Sequence, residues 1–169
     1  MSPAGIGRVV RTLRGRAREW RPTAVGEVAG EGRDPFRVLI ACLLSLRTQD
    51  STTGPAAERL FRLADTPETL AGLAPATIQR AIFPVGFYRT KARVVRDVAR
   101  DVLTRFGGRV PDDLDRLLTL KGVGRKTANL VVTVGFGKPG ICVDTHVHRI
   151  SNRLGFSPNR HRRPAPARP

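Results

Sequence analysis

Leu120-Lys121-Gly122-Val123-Gly124-Arg125-Lys126-Thr127-Ala128 joins two helical patterns, read over Asp112 to Leu120 and over Arg125 to about Val134. Gly122 and Gly124 permit a tight reversal that brings bare backbone close to a partner, and Val123 can fill the angle between the helices. The second helix begins at the turn, so its unpaired N–H groups and the positive end of its dipole point outward. That is the geometry of a phosphate site. A plain αα-turn would use the same glycines, so the segment alone leaves both readings open. Lys126 falls in the first turn of the second helix, where the dipole disfavours a cation. As a nucleophile it must lose its proton, its pKa falling from ~10.4 towards ~7.5, roughly 4 kcal/mol against the charged form. The helix end supplies ~1 kcal/mol of this, leaving the rest to Arg125 and partial burial. As a structural residue it is a surface lysine with its charge in water.

Outward from this hairpin, nearly every periodic stretch reads as helix. Ile6, Val9, Val10 and Leu13 recur at helical spacing, with Trp20 expected to close the same face. Asp34-Pro35 is an N-cap followed by proline at the first helical position, and Phe36 to Leu46 is apolar almost all round, the mark of a central buried helix. A polar link from Arg47 to Thr53 precedes a helix expected from Gly54-Pro55 to Leu63. Thr66-Pro67 and Ala74-Pro75 each open a short helix. After Pro84-Val85-Gly86-Phe87, a long helix carries Val94, Val95, Val98, Val102, Leu103 and Phe106 on one face and stops at Gly107-Gly108. Pro111 opens a helix with Leu114, Leu117 and Leu118. With no strand ladder and no repeat, the fold class is all-α.

The chain has 30 Lys and Arg against 14 Asp and Glu, a formal charge of +16 in 169 residues, which favours a polyanionic partner through counterion release. A GC-rich coding sequence, rich in Arg, Ala, Gly and Pro, would produce a similar excess. Only Lys91, Lys121, Lys126 and Lys138 are lysines, so any amine chemistry falls to one of four side chains. Cys42 and Cys142 form no CxxC unit, cannot hold a zinc or iron–sulfur centre alone, and are expected as buried thiols. Met1 to Gly5 has no apolar leader, and the longest apolar run, Val38 to Leu44, is too short to cross a bilayer. A cytoplasmic protein is expected. Phe156 to Pro169 holds four prolines and four arginines, and Ser157 to Pro169 reads as a disordered basic tail.

Asp144 lies eighteen positions after Lys126, in Gly140-Ile141-Cys142-Val143-Asp144-Thr145-His146. It stands as N-cap of a helix with Val147, Ile150 and Leu154. Capping would explain the acid. A held carboxylate could equally stabilise positive charge at a sugar C1′ and move protons.

Leu120 to Ala128, Val143-Asp144-Thr145-His146-Val147-His148-Arg149-Ile150 and Asn152-Arg153-Leu154 together resemble the helix-hairpin-helix, Gly-Pro-Asp superfamily, and within it the endonuclease III family. Leu44-Ser45-Leu46-Arg47-Thr48-Gln49-Asp50 and Val85-Gly86-Phe87-Tyr88-Arg89-Thr90-Lys91-Ala92 agree, so the resemblance spans about residues 34 to 155. It implies a six-helix barrel at 31–139 carrying the hairpin at about 112–135. A second helical lobe, incomplete here, would form from 1–30 and 140–155. It also implies base-excision repair of double-stranded DNA holding damaged bases or abasic sites, by a monomer. Lys126 matches the family's Schiff-base lysine and Asp144 its essential aspartate. Lys121, Gly122, Val123, Gly124, Arg125 and Thr127 match the DNA-binding hairpin, joined by Gln49 and Lys91. Phe87 matches an apolar wedge, or is a core residue. Arg47 stands where the family carries a gap-filling glutamine, and Lys121 replaces the hairpin's usual proline to face phosphate. His146 and His148, at i and i+2, are no metal pair and are expected to support Asp144.

Relatives continue into a segment with four cysteines binding a [4Fe–4S] cluster. Those cysteines are absent here, so no cofactor is expected, and the residues after about 155 are read as replacing a native end. Two other functions stay in view: an inactive DNA-gripping fragment, and a monofunctional adenine or uracil glycosylase, a class that usually lacks lysine at position 126.

Overall fold

The computed structural model describes residues 3–156 apart from 21 and 31, so the expected tail from Ser157 onward lies outside the described residues. The described residues are helical and contain no strand, as the hydrophobic spacing requires. They divide into two compact units, 22–142 and the pair of segments 3–20 and 143–156.

In the larger unit α3 (Pro35–Ser45) is the axis. Phe36 and every residue from Val38 to Leu44 are buried, so this helix has no solvent face. Leu39, Ile40, Leu43 and Leu44 are fully enclosed, each worth about 1.5–3 kcal/mol of transfer free energy. Its neighbours are α2 (Ala24–Ala29), α4 (Asp50–Leu63), α7 (Tyr88–Phe106) and α9 (Arg125–Leu130), the last continuing as π-type turns through Val131–Gly135. The short helices α5 (Pro67–Gly72) and α6 (Pro75–Ile82) pack on α7, and α8 (Leu114–Leu118) packs on α9 as the first arm of the hairpin. α7 turns Val95, Val98 and Val102 inward and ends at Gly107, whose φ of 62° is the left-handed stop that glycine supplies.

The start of α3 follows from local chemistry. Asp34 is extended, and its Oδ1 accepts from the amides of Phe36 at 2.8 Å and Arg37 at 3.3 Å. Asp34→Ala is therefore expected to lower stability by about 1 kcal/mol in a urea titration, and Asp34→Asn to restore most of it. An unshifted alanine midpoint would show that the cap contributes nothing.

Two helix starts and one unit boundary depart from the sequence expectation. α4 begins at Asp50, not at Gly54-Pro55, because the Gln49 carbonyl accepts from the amides of Thr52 and Thr53, both at 3.0 Å, and from the Thr53 hydroxyl. Pro55 sits within the helix, and the carbonyl it cannot engage belongs to exposed Ser51, within reach of water. α8 begins at Leu114, not Pro111 or Asp112, because extended Asp113 caps it by accepting from the Arg116 amide at 2.9 Å. Residues 22–30, grouped by sequence with the second lobe, belong to the larger unit, since Val25 and Ala29 are buried in its core.

The smaller unit holds α1 (Pro3–Arg16) and α10 (Thr145–Arg153). Trp20 does not close the face of α1. It follows a 3₁₀ turn at Ala17–Glu19, in extended backbone, and is exposed. α10 buries no residue, and Val147 and Ile150 remain exposed along it. No described helix is long and apolar enough to cross a membrane.

Candidate functional site

The reversal between α8 and α9 uses its two glycines differently. Gly122 has φ +77°, and a Cβ there would stand 3.1 Å from Val94 Cγ1 and 3.6 Å from Leu43 Cδ2. Gly124 is extended, and a Cβ on it would meet nothing within 4 Å. Gly122 thus serves the fold, whereas Gly124 keeps the outer surface bare. Gly122→Ala is expected to cost about 1–2 kcal/mol for the left-handed backbone, and Gly124→Ala to leave the urea midpoint within about 0.5 kcal/mol. Equal losses at both positions would refute this division. Val123 fills the angle between the helices, buried as expected.

α9 starts without a side-chain cap, and its first intrahelical bond runs from the Ala128 amide to the Gly124 carbonyl at 2.9 Å. Arg125 and Lys126 are exposed in that first turn. Thr127 is 3% exposed, so its side chain belongs to the core and cannot reach an external ligand; the helical phase turns it inward beside Ala128. Lys121 pairs with Asp97 of α7, Nζ to Oδ2 3.2 Å, both well exposed, so the carboxylate offsets its charge at the surface.

A second group of residues lies at the same end of the unit. α3 terminates at Ser45, and Arg47 follows with φ +54°. α7 is preceded by Phe87, with φ +58° and 64% exposure. The Arg47 guanidinium lies 5.8 Å from the centre of the Phe87 ring. Phe87 is therefore a surface residue, which settles the alternative of a core role. Gln49 is exposed at the N-cap of α4, although its side chain makes no cap bond. The nearness of Gly122 to Leu43 and Val94 and the Lys121–Asp97 pair put the hairpin alongside the end of α3 and the middle of α7. The hairpin and the Arg47–Phe87 pair consequently share one pole.

Lys91 does not join them at the surface. It is 8% exposed, and its Nζ donates to the carbonyls of Leu44 and Leu46 and to Thr48 Oγ1. Burial pulls its ammonium down to about 8. The expectation of a DNA ligand is corrected here, because all three donors are engaged inside the protein. Thr48 and Gly86 carry no sequence signal of a role, because their part in the site comes only from tertiary contact.

Asp144 belongs to the smaller unit, where its Oδ1 accepts from the Val147 amide at 2.7 Å and starts α10. His146 and His148 turn to their own helix, His146 Nδ1 lying 3.1 Å from Arg149 and His148 Nε2 3.3 Å from Asn152. Both are exposed.

The residues do not fit an iron–sulfur cluster. Cys42 is enclosed in α3, and burial pushes its thiol up to about 12, so it stays protonated. Cys142 is only half-buried, a correction to the expected buried pair, and its Sγ donates to the Lys126 carbonyl at 3.7 Å. Among the described residues no cluster of His, Cys, Asp or Glu could hold a metal ion. A cleft of about 620 Å³ lies at the opposite pole, between the start of α3 (Asp34, Pro35) and the end of α7 (Phe106, Gly108). The 19 residues of α7 rise about 28 Å, so this cleft is remote from Arg47 and Phe87 at the start of α7, although Arg116 of α8 helps to line it.

Comparison with known proteins gives the hairpin a family. A model described as HhH-GPD superfamily base excision DNA repair protein matches residues 40–166. The chain belongs to the HhH-GPD superfamily. Endonuclease III of Thermotoga maritima is 53% identical over 123 residues, covering 73% of this chain and 58% of that protein. Endonuclease III of Bacillus subtilis is 41% identical over 123 residues, covering 73% of this chain and 56% of that one. The chain thus spans under three-fifths of the length of these two HhH-GPD relatives. Among solved structures, a non-covalent endonuclease III–DNA complex superimposes with a TM-score of 0.82 at 34% identity, covering 93% of this chain and 71% of that chain. A trapped endonuclease III–DNA covalent intermediate gives 0.70 at 43% identity, covering 73% and 58%.

Proposed function

We propose that the chain is a DNA glycosylase with abasic-site lyase activity, acting in base-excision repair on oxidised pyrimidines in duplex DNA within the bacterial cytoplasm. The observation that carries this reading is Lys126, exposed in the first turn of α9 immediately after the glycine-flanked reversal. Arg47 and Phe87 stand at the same pole. Similarity to endonuclease III, including a structure described as a trapped covalent intermediate with DNA, supports it.

In this reading the α9 start and Arg125 hold backbone phosphate, Gly124 lets the backbone approach closely, and Arg47 and Phe87 fill the space of an extruded nucleotide. Lys126 attacks C1′ as the free amine. The C1′–N bond to the base breaks, the base leaves with a proton, and ring opening yields an imine. Loss of a C2′ proton then expels the 3′ phosphate by β-elimination, and hydrolysis of the imine returns the lysine. Asp144 stabilises positive charge at C1′ and carries protons.

Borohydride reduction of the intact chain on duplex DNA with one abasic site tests the activity. A covalent adduct is expected, and its absence where a control enzyme traps would overturn it. A second reading, DNA binding without turnover, is favoured by α10 burying no residue around Asp144. It gives salt-sensitive binding with no adduct, whereas a monofunctional glycosylase would release base and leave the strand whole.

A further inference from the structure

Lys91 is an ammonium enclosed in α7 whose partners lie in the last turn of α3 and on the segment that follows it. Its Nζ donates to the Leu44 carbonyl at 2.6 Å, to the Leu46 carbonyl, and to Thr48 Oγ1 at 3.0 Å. The two carbonyls belong to the last turn and C-cap of α3, where a helix leaves its acceptors without intrahelical donors and its dipole end is negative. One ammonium thus supplies three N–H groups to three acceptors, its whole capacity.

The same segment is held from the other side. Thr48 Oγ1 also accepts from the Gly86 amide at 3.2 Å. A Cβ on Gly86 would lie 2.7 Å from the Arg47 carbonyl oxygen, so only glycine lets the α6–α7 link close onto the loop. Between these two fastenings Arg47 adopts φ +54°, and Phe87, directly after Gly86, adopts φ +58°. Left-handed backbone at two bulky residues persists only where surroundings over-determine it. Here it aims the two side chains at each other, with 5.8 Å between guanidinium and ring centre.

We propose that Lys91 is a positioning residue that fastens the end of α3, so that Arg47 and Phe87 are presented to the duplex as one stacked unit. The proposal rests on the preceding reading, in which these two side chains enter the DNA stack. It differs from a phosphate contact because no donor of Lys91 remains for DNA.

Two variants test it in the intact chain. Lys91→Met keeps the stem and removes the donors. Thr48→Val removes the hydroxyl shared by Lys91 and Gly86 at a half-buried loop position. The first measurement is amide exchange without DNA. The Gly86 amide and the Thr48 amide, which bonds the Ser45 carbonyl at 3.0 Å, are expected to exchange about tenfold faster in Lys91→Met, with α4 and α6 unchanged. The second is the strand-cleavage rate on an abasic site in duplex against the same site in single-stranded DNA, where there is no stack to open. The duplex rate should fall about tenfold and the single-strand rate stay within about twofold, a split that general loss of structure would not produce.

Unchanged exchange overturns the fastening. Faster exchange with an unchanged duplex-to-single-strand ratio overturns its service to DNA. A wild-type chain that cleaves neither substrate overturns the functional reading instead, and the exchange result then decides the positioning alone. Should Lys91→Met not fold, Thr48→Val carries both measurements, with changes of about threefold expected.

Discussion

Lys126→Ala is expected to remove the borohydride-trapped adduct on abasic duplex DNA, a loss of at least about a thousandfold, because no other group can form the imine at that place. The structure separates this outcome from unfolding. Lys126 is exposed, and it stands in the first turn of α9, where a cation opposes the helix dipole. Removing it empties no core space, and thermal unfolding of the variant beside wild type checks that the fold survives. DNA affinity and its salt dependence should change little, because the α9 start and Arg125, not Lys126, hold the phosphate. The other three lysines make poor substitutes. Lys91 is spent on internal acceptors, and Lys121 is paired with Asp97. Lys138 is held by Asp112, a residue lining the cleft at the opposite pole. A Lys126→Ala chain that trapped as well as wild type would therefore end the assignment.

Why the place of Lys126 in a helix's first turn is legible in the sequence, while the burial of Lys91 is not, is a matter of range. The hairpin is local: glycine at 122 and 124 and the helix phase after them put position 126 in a first turn without reference to the rest of the chain. The caps Asp34-Pro35 and Thr66-Pro67 are local in the same sense, and both helices begin where those pairs stand. Lys91 looks like one more cation on an amphipathic helix, and its acceptors lie 43 to 47 residues away, on a loop whose path no propensity encodes. The start of α4 failed for a different reason. Gln49 caps it through its backbone carbonyl, which leaves no side-chain signature, while Gly54-Pro55 advertises a boundary that the helix passes through. Arg47 and Phe87 carry left-handed backbone on residues that give no hint of it. Legible features were thus those set within a turn or two of chain, and the site's precision comes from contacts that are not.

Asp144 offers the sharper separation of structure from chemistry, because one carboxylate oxygen has a visible structural task. Its Oδ1 accepts from the Val147 amide at 2.7 Å and starts α10. Asparagine caps a helix as well as aspartate does, so Asp144→Asn should leave the smaller unit's stability within about 0.5 kcal/mol, whereas Asp144→Ala should cost about 1 kcal/mol. If capping were the whole role, repair activity would follow that order, with the asparagine variant close to wild type. The proposed chemistry predicts otherwise. A neutral amide can neither balance positive charge at C1′ nor accept a proton, so both variants should lose about a hundred- to a thousandfold in single-turnover base release. The loss should be smaller on a preformed abasic site, where the glycosidic bond is already gone. Helix content by circular dichroism, base release and abasic-site cleavage, measured on both variants, distinguish the two roles. An asparagine variant that released base at the wild-type rate would leave Asp144 as a cap and nothing more.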